Sequence, residues 1–353
     1  RMKKLDRYLM TTVIVGALAG LLVIVCLSFV FEFIDEADDI GNAGYTLASA
    51  MLVVALSMVQ RAYEAFPMAT LIGALVSLGA LAGRGELVAM RAAGVSIAQI
   101  ARSVVIAGVG LALLAAAIGE WVAPQATRMA QAIQANAQGT QVGLAAGGLW
   151  ARDGDWVMRA DRVVASTLLT GVRAYAIEDT ELTQVITAPQ ARYDGSVWVL
   201  SPAEVTQIST AGVEVSQREQ VRLGGELSPA TLEVVSAEAP TLAGGELARY
   251  IGYLQSNDLD SARYELALWI KIATPLATVV MLLLSVPLVF ASVRSKGVGQ
   301  QIFIGVMIGL AFFLLNRFLG NVGLVYGLPP ALSALAPTVL FLLIGLWGLR
   351  RVG

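Results

Sequence analysis

Histidine is absent from the 353 residues, which removes the commonest metal ligand and the commonest general base together. Cysteine occurs once, as Cys26 inside an apolar run, so there is neither a disulfide framework nor a cysteine metal site. No lysine follows a glycine anywhere, so no Walker A loop exists and the chain cannot supply its own P-loop ATPase. Charge is scarce as well: charged residues are 14%, against 57% hydrophobic, and mean hydropathy is +0.71. That balance excludes a soluble domain and implies a polytopic membrane protein. The net charge of −2 says little, because in such a chain the distribution of charge matters and the sum does not.

Six apolar runs reach the roughly 20 residues needed to span a bilayer: Leu9–Phe33, Leu52–Leu81, Ile97–Val122, Leu266–Val293, Gln301–Val322 and Leu332–Leu349. The first is too long for the apolar part of a signal peptide and is expected to stay as an anchor. Arginine and lysine cluster before the first span (Arg1, Lys3, Lys4, Arg7), around the second turn (Arg84, Arg91, Arg102), after the fourth span (Arg294, Lys296) and at the end (Arg350, Arg351). The loops on the other side, Ile34–Met51 and Gly323–Ala331, hold none. Both termini are therefore predicted to be cytoplasmic. Pro67, Pro275 and Pro287 interrupt spans and are expected to kink them.

Between the third and fourth spans lies a polar excursion of about 140 residues, on the outer side, where the apolar period changes from 3.6 to 2. Trp156–Val163 partly alternates and Val172–Glu178 alternates better; Asp153-Gly154 and Asp194-Gly195 mark hairpin turns. Short strands with regular turn signals predict a β-sandwich or jellyroll. Gln125–Gln138 reads as a polar helix before it, and Leu247, Tyr250, Ile251 and Leu254 as an amphipathic helix after it. The predicted division is residues 1–124 for the first three spans, 125–262 for the β-jellyroll domain with its flanking helices, and 263–353 for the last three spans.

One short segment between the second and third spans, Gly83–Ser96, is mixed in charge and bounded by glycines. Leu87, Val88 and Met90 can form a small apolar stripe there, with Arg84, Glu86 and Arg91 projecting elsewhere. Such a helix, at about residues 84–95, suits docking into a partner's groove. A plain cytoplasmic loop whose arginines only fix topology is the alternative.

The stretches L-D-R-Y-L at Leu5–Leu9, F-P-M-A-T-L-I-G-A-L at Phe66–Leu75, E-L-V-A-M-R-A-A-G at Glu86–Gly94, G-E-W-V-A-P-Q at Gly119–Gln125 and Y-G-L-P-P at Tyr326–Pro330 resemble the YjgP/YjgQ (LptF/LptG) permeases, and within them the LptG type. The resemblance implies a membrane subunit of the ABC-type lipopolysaccharide exporter in the Gram-negative inner membrane, paired with LptF and driven by two copies of the ATPase LptB, with LptC as a further partner. It implies that lipopolysaccharide is drawn from the outer leaflet into a cavity between the two permeases and passes on through periplasmic β-jellyroll domains. It implies no cofactor or catalytic residue in this chain; ATP and Mg are expected on the ATPase. The segment about Glu86 matches the family's coupling helix, so Arg84, Glu86, Met90 and Arg91 are the expected ATPase-coupling residues, with Glu86 as the acidic contact.

Rising about 1.5 Å per residue from the cytoplasmic ends, several ionisable residues fall near the outer boundary. Asp35, Arg61, Lys271 and Arg317 are the expected substrate contacts, with Arg317 able to pair bidentately with a lipid A phosphate; snorkelling to the headgroups is the alternative. Known family members carry lysines at the end of span one, whereas here Glu32–Asp39 contains no base. Asp35, Glu36, Asp38 and Asp39 are read as pairing with bases on LptF, as bridging to phosphate through a divalent cation, or as a solvated loop. Gly16/Gly20 and Gly305/Gly309 have small-xxx-small spacing, on the two spans that the family uses as a lateral gate. Two rival functions are a secondary transporter without an ATPase, which would call for inverted repeats and midplane charges, and a membrane-anchored periplasmic scaffold.

Overall fold

Six helices in the structure are long and apolar enough to cross a membrane. The structure is a computed structural model, and it describes residues 4–38, 40–41, 45–137, 149–153, 156–165, 167–178, 181–209, 212–224, 241–292 and 298–352. Asp39 of the acidic run, Gly154 of the first expected turn, Gln138, Arg294 and Lys296 lie outside the described residues. The chain divides into two compact units, one made of residues 1–40, 47–130 and 262–353, the other of residues 41–46 and 131–261.

In the first unit, α1 (Lys4–Ala37) and α2 (Leu47–Gly83) are followed by the short α3 (Glu86–Ala92). Next comes α4 (Ile97–Ala117), which runs without a break through a π-helical turn (Ile118–Val122) into α5 (Ala123–Ala137), whose residues from 131 on are counted with the second unit. Numbering α6 for the helix of the second unit, α7 (Ala262–Ser292), α8 (Val298–Tyr326) and α9 (Pro330–Val352) complete the spans. The helices run through Pro67, Pro275 and Pro287. Pro275 has no N–H for the carbonyl of Lys271 one turn back; the Tyr63 hydroxyl donates to that oxygen at 3.4 Å.

The core of this unit gathers Leu9 and Val13 from α1, Phe66, Leu75 and Leu78 from α2, Leu87 from α3, Ile100 and Val104 from α4 and Met281 and Val286 from α7. Burial is uneven. In their most apolar windows α2 and α7 are 61% buried, but α1 only 11% and α8 17%. The α1–α2 crossing is a close backbone contact, because a Cβ on Gly16 would stand 2.6 Å from the Gly73 carbonyl oxygen and one on Gly20 2.9 Å from that of Ala69. Packing without side chains is how apolar helices associate where the hydrophobic effect gives no drive.

The second unit holds an antiparallel sheet of β1 (Leu149–Asp153), β2 (Trp156–Ala165), β3 (Leu168–Glu178), β4 (Glu181–Tyr193), β5 (Trp198–Leu200), β6 (Ala203–Ser209), β7 (Gly212–Arg218) and β8 (Val221–Leu223). The order is β1-β2-β3-β4-β5-β8, and β4 also pairs β6, which pairs β7. The sheet branches because β4 is long enough to serve two partners on one edge: Gln184–Thr187 bond to β6, Ala191–Tyr193 to β5. Alternation sends Met158, Ala160, Val172, Ala174, Ile186 and Ala188 to the buried face. The Asp194-Gly195 turn is present, with Gly195 at φ 105°, and the Asp194 carboxylate accepts from the Ser196 and Val197 N–H groups at 3.1 and 3.0 Å. α6 (Gly244–Ser256) follows, burying Leu247, Tyr250, Ile251 and Leu254. An antiparallel β region between the third and fourth of six spans is the expected fold class.

Candidate functional site

Two polar clusters stand at opposite ends of the helices. The first surrounds α3, whose limits are set by two glycines in the left-handed region, Gly85 at φ 76° and Gly94 at φ 88°. After α3, the N–H of Gly94 bonds Arg91 O and that of Val95 bonds Met90 O, both at 3.0 Å, a closure that needs a residue with no Cβ penalty at Gly94. Ser96 then starts α4 with a reciprocal capping box to Gln99.

The expected apolar stripe on α3 divides. Leu87 is buried in the core and Met90 packs against it, whereas Val88 is 55% exposed. At about 100° per residue Val88 and Met90 lie on opposite sides of a helix, so both cannot face inward. Arg91 is exposed. Glu86 does not stand alone: Arg84 Nε donates to its Oε1 at 2.7 Å and the Tyr8 hydroxyl, from α1, to its Oε2 at 2.8 Å. Arg84 first and Tyr8 second hold its carboxyl below the ordinary carboxylate range. With 32% of its side chain exposed, it keeps lone pairs for a further donor.

The second cluster lies toward the other end of the spans. Arg61 of α2 forks onto Glu32 of α1, Nε to Oε2 at 3.2 Å and Nη2 to Oε1 and Oε2 at 3.3 and 3.1 Å, and Glu64 is 3.8 Å from its Nη1. Two carboxylates thus already surround this expected phosphate contact, so Arg61 does not offer an unmatched positive charge. Lys271 also departs from expectation. Its side chain is 11% exposed, its Nζ donates to Gly119 O at 2.7 Å, and Glu120 is 3.8 Å away. The cause is local: in the π turn Ala123 N–H bonds Ile118 O, and the residue next in line for Gly119 O is Pro124, which has no N–H to give; the ammonium caps the carbonyl instead. Lys271 therefore ties span four to span three and does not reach outward.

Arg317, on α8, is exposed among the exposed apolar Leu314 and Phe318, and among the described residues it has no ionic partner. Asp35 and Asp38 are exposed and Glu36 is half-buried. Among the described residues no three acids converge into a group that could hold a metal. The paired glycines both meet α2 rather than each other's spans: Gly16 and Gly20 as given above, Gly305 against Leu75 and Gly309 against Met68. The structure thereby assigns their close packing to α2, within this chain. Sequence reasoning missed Tyr8, Glu32, Gly73 and Glu120 as partners. Tyr8, Gly73 and Glu120 lie inside the stretches L-D-R-Y-L, F-P-M-A-T-L-I-G-A-L and G-E-W-V-A-P-Q, which was the available signal.

Comparison with known proteins bears on what this arrangement serves. Residues 7–351 match the family model described as lipopolysaccharide export system permease LptF/LptG. The chain is 36% identical over 352 residues to the lipopolysaccharide export system permease protein LptG of Escherichia coli K12, covering 98% of each. It is 32% identical over 351 residues to the protein of the same name from Haemophilus influenzae, again covering 98% of each.

Proposed function

Because the chain belongs to the LptF/LptG family of lipopolysaccharide export permeases, we propose that it is the LptG-type membrane subunit of an ABC exporter that takes lipopolysaccharide from the outer leaflet of the inner membrane. In this reading it pairs with an LptF permease, receives work from an LptB ATPase dimer, and hands lipid to a periplasmic β-jellyroll bridge that includes LptC. Both termini are cytoplasmic and the β unit is periplasmic. The ATPase binds ATP and Mg; this chain contributes no catalytic group.

The observation that carries the reading is α3. A helix of 7 residues, fixed between two spans by left-handed glycines and by Leu87 in the core, is a rigid knob at the membrane face. It presents Val88, Arg91 and the open side of Glu86, which fits a partner's groove better than water. At the other end, Arg317 has no ionic partner among the described residues and lies among the exposed apolar Leu314 and Phe318, so it is the candidate for a lipid phosphate.

Co-purification is the direct test. The unaltered chain should bring down an ATPase subunit, and Glu86→Lys, which makes the contact with a partner base repulsive, should insert normally and lose most of that association and of lipopolysaccharide-stimulated ATP hydrolysis. Full assembly and stimulation in Glu86→Lys would remove α3 as the docking element. Transport by a preparation that contains no ATPase would favour the secondary-transporter alternative.

A further inference from the structure

Among the described residues, the side-chain hydrogen bond that joins the foot of α1 to α3 ends on one carboxylate, that of Glu86. Its two oxygens are held by different elements, Oε1 by Arg84 from the α2–α3 turn and Oε2 by Tyr8 from α1. Two residues earlier on α1, Asp6 Oδ1 accepts from Ser103 Oγ of α4 at 2.9 Å, and Leu9 and Val13 are buried in the core that also takes Leu87. Above this foot the helix is largely bare: Leu22, Val23, Leu27 and Phe31 are 58–67% exposed. A long helix tied at its base to α3 and α4, packed higher up chiefly on α2 through Gly16, Gly20 and Glu32, and bare on its other face, can swing as a lever when that base is moved.

We propose that Tyr8 is a positioning residue through which displacement of α3 turns α1. The proposal rests on the reading of α3 as the ATPase-docking helix. A cation on the docked partner can engage Glu86 through the lone pairs that its two in-chain donors leave open, so a pull on Glu86 is shared with Tyr8. A hydrogen bond to an ionised acceptor is stronger and more directional than a neutral one, which suits it to carry that motion. Apolar contact between Leu87 and the core anchors α3 to the bundle as a whole and does not single out α1. The Tyr8 hydroxyl does, because it is a polar tie from α1 to α3 on the residue that faces the partner. Asp6–Ser103 ties the same foot to α4 and serves as the internal contrast.

The chain's one cysteine gives the readout. Cys26 is exposed on α1, beyond the foot, so a spin label there reports motion of the lever without further substitution in this chain. The experiment uses the whole complex, with cysteine-free partners, reconstituted in nanodiscs and compared with and without ATP and Mg. Tyr8→Phe keeps the ring and removes the hydroxyl. With ATPase association kept, the nucleotide-dependent change at Cys26 should fall at least about threefold, as expected for loss of one exposed charge-assisted bond. Lipopolysaccharide released per ATP should fall in parallel. Ser103→Ala, which loosens the foot without touching α3, should keep the response.

An unchanged Cys26 response in Tyr8→Phe overturns the proposal while leaving the docking reading intact. Equal loss in Tyr8→Phe and Ser103→Ala overturns it too, since general loosening of the foot would then suffice. Failure of Tyr8→Phe to assemble while Ser103→Ala assembles assigns the hydroxyl a purely structural role and has the same result. Absence of any ATPase with the unaltered permease defeats the docking reading and the proposal together.

Discussion

Arg61 and Lys271 both sit toward the end of the spans away from α3, and both were expected at the substrate, yet each is engaged within the chain. Their hydrogen-bond partners come from other spans: Glu32 is 29 positions from Arg61 and Gly119 is 152 from Lys271. Periodicity reads neighbours three and four apart, so pairings of this kind leave no local mark in the sequence. Lys271→Met should remove the cap on Gly119 O and leave that carbonyl unsatisfied, lowering stability by about 1–3 kcal/mol; thermal unfolding of the purified protein in detergent measures it. Arg317, by contrast, should matter for transport and little for folding. Arg317→Glu is expected to assemble and to release lipopolysaccharide several-fold more slowly, with Arg317→Gln intermediate and Arg317→Lys mildest. Parental transport rates in all three would leave it as a snorkelling residue. At Asp194 the charged form is favoured by the N–H groups of Val197 and Ser196, which hold its carboxyl below the ordinary aspartate range. A lowered folded value means that the turn is stabilised above the unfolded value of about 3.9 and loses this as pH falls through the folded one. Protection of the Val197 amide, corrected for intrinsic exchange, should therefore be flat from pH 7 to 5 and decline below the unfolded value.

At the level of elements, spans and their order were legible because a 20-residue apolar run has few other uses, and the strands because their period changes to 2. The seven-residue α3 was legible from its bounding glycines, although the sides of its apolar residues were not. The π turn was missed, although Pro124, which can give no N–H to the preceding turn, stands in the sequence at its end. Its effect shows in the buried positions, where Leu111, Ala115, Gly119 and Ala123 follow at intervals of four through the turn; the wide turn keeps one stripe in phase with its neighbours. Glycine pairs were visible as a spacing, but the spacing does not name the facing helix. That helix is α2, and the two contacts differ in kind. A Cβ at Gly73 would meet backbone atoms of Gly16 and Ala17, whereas one at Gly305 meets the Leu75 Cδ1 end at 2.8 Å. Gly73→Ala should thus cost about 1–3 kcal/mol by overpacking and Gly305→Ala less than about 1 kcal/mol, compared by melting temperature of the inserted proteins.

For the whole molecule, the arginine and lysine distribution predicts the topology, and labelling tests it. In a Cys26→Ser background, Ser196→Cys on the β4–β5 turn should react with a membrane-impermeant maleimide in intact cells, and Ala93→Cys beside α3 only after permeabilisation. The reverse pattern would invert the orientation and with it the docking role of α3. The uneven burial of the spans has a further effect on motion. α2 and α7 are enclosed, while α1 lies at the margin of its unit, held along its lower half by Gly16 and Gly20 on Gly73 and Ala69 and higher up by Glu32 on Arg61. Dispersion between backbones in van der Waals contact loses about a quarter to a half of its strength within an ångström of separation, and at Gly16 and Gly20, unlike at Glu32 and Arg61, there is no side chain to stretch across a widening gap. The glycine stretch therefore weakens steeply once it begins to part, so a push on α1 meets most of its resistance at the outset and little beyond it.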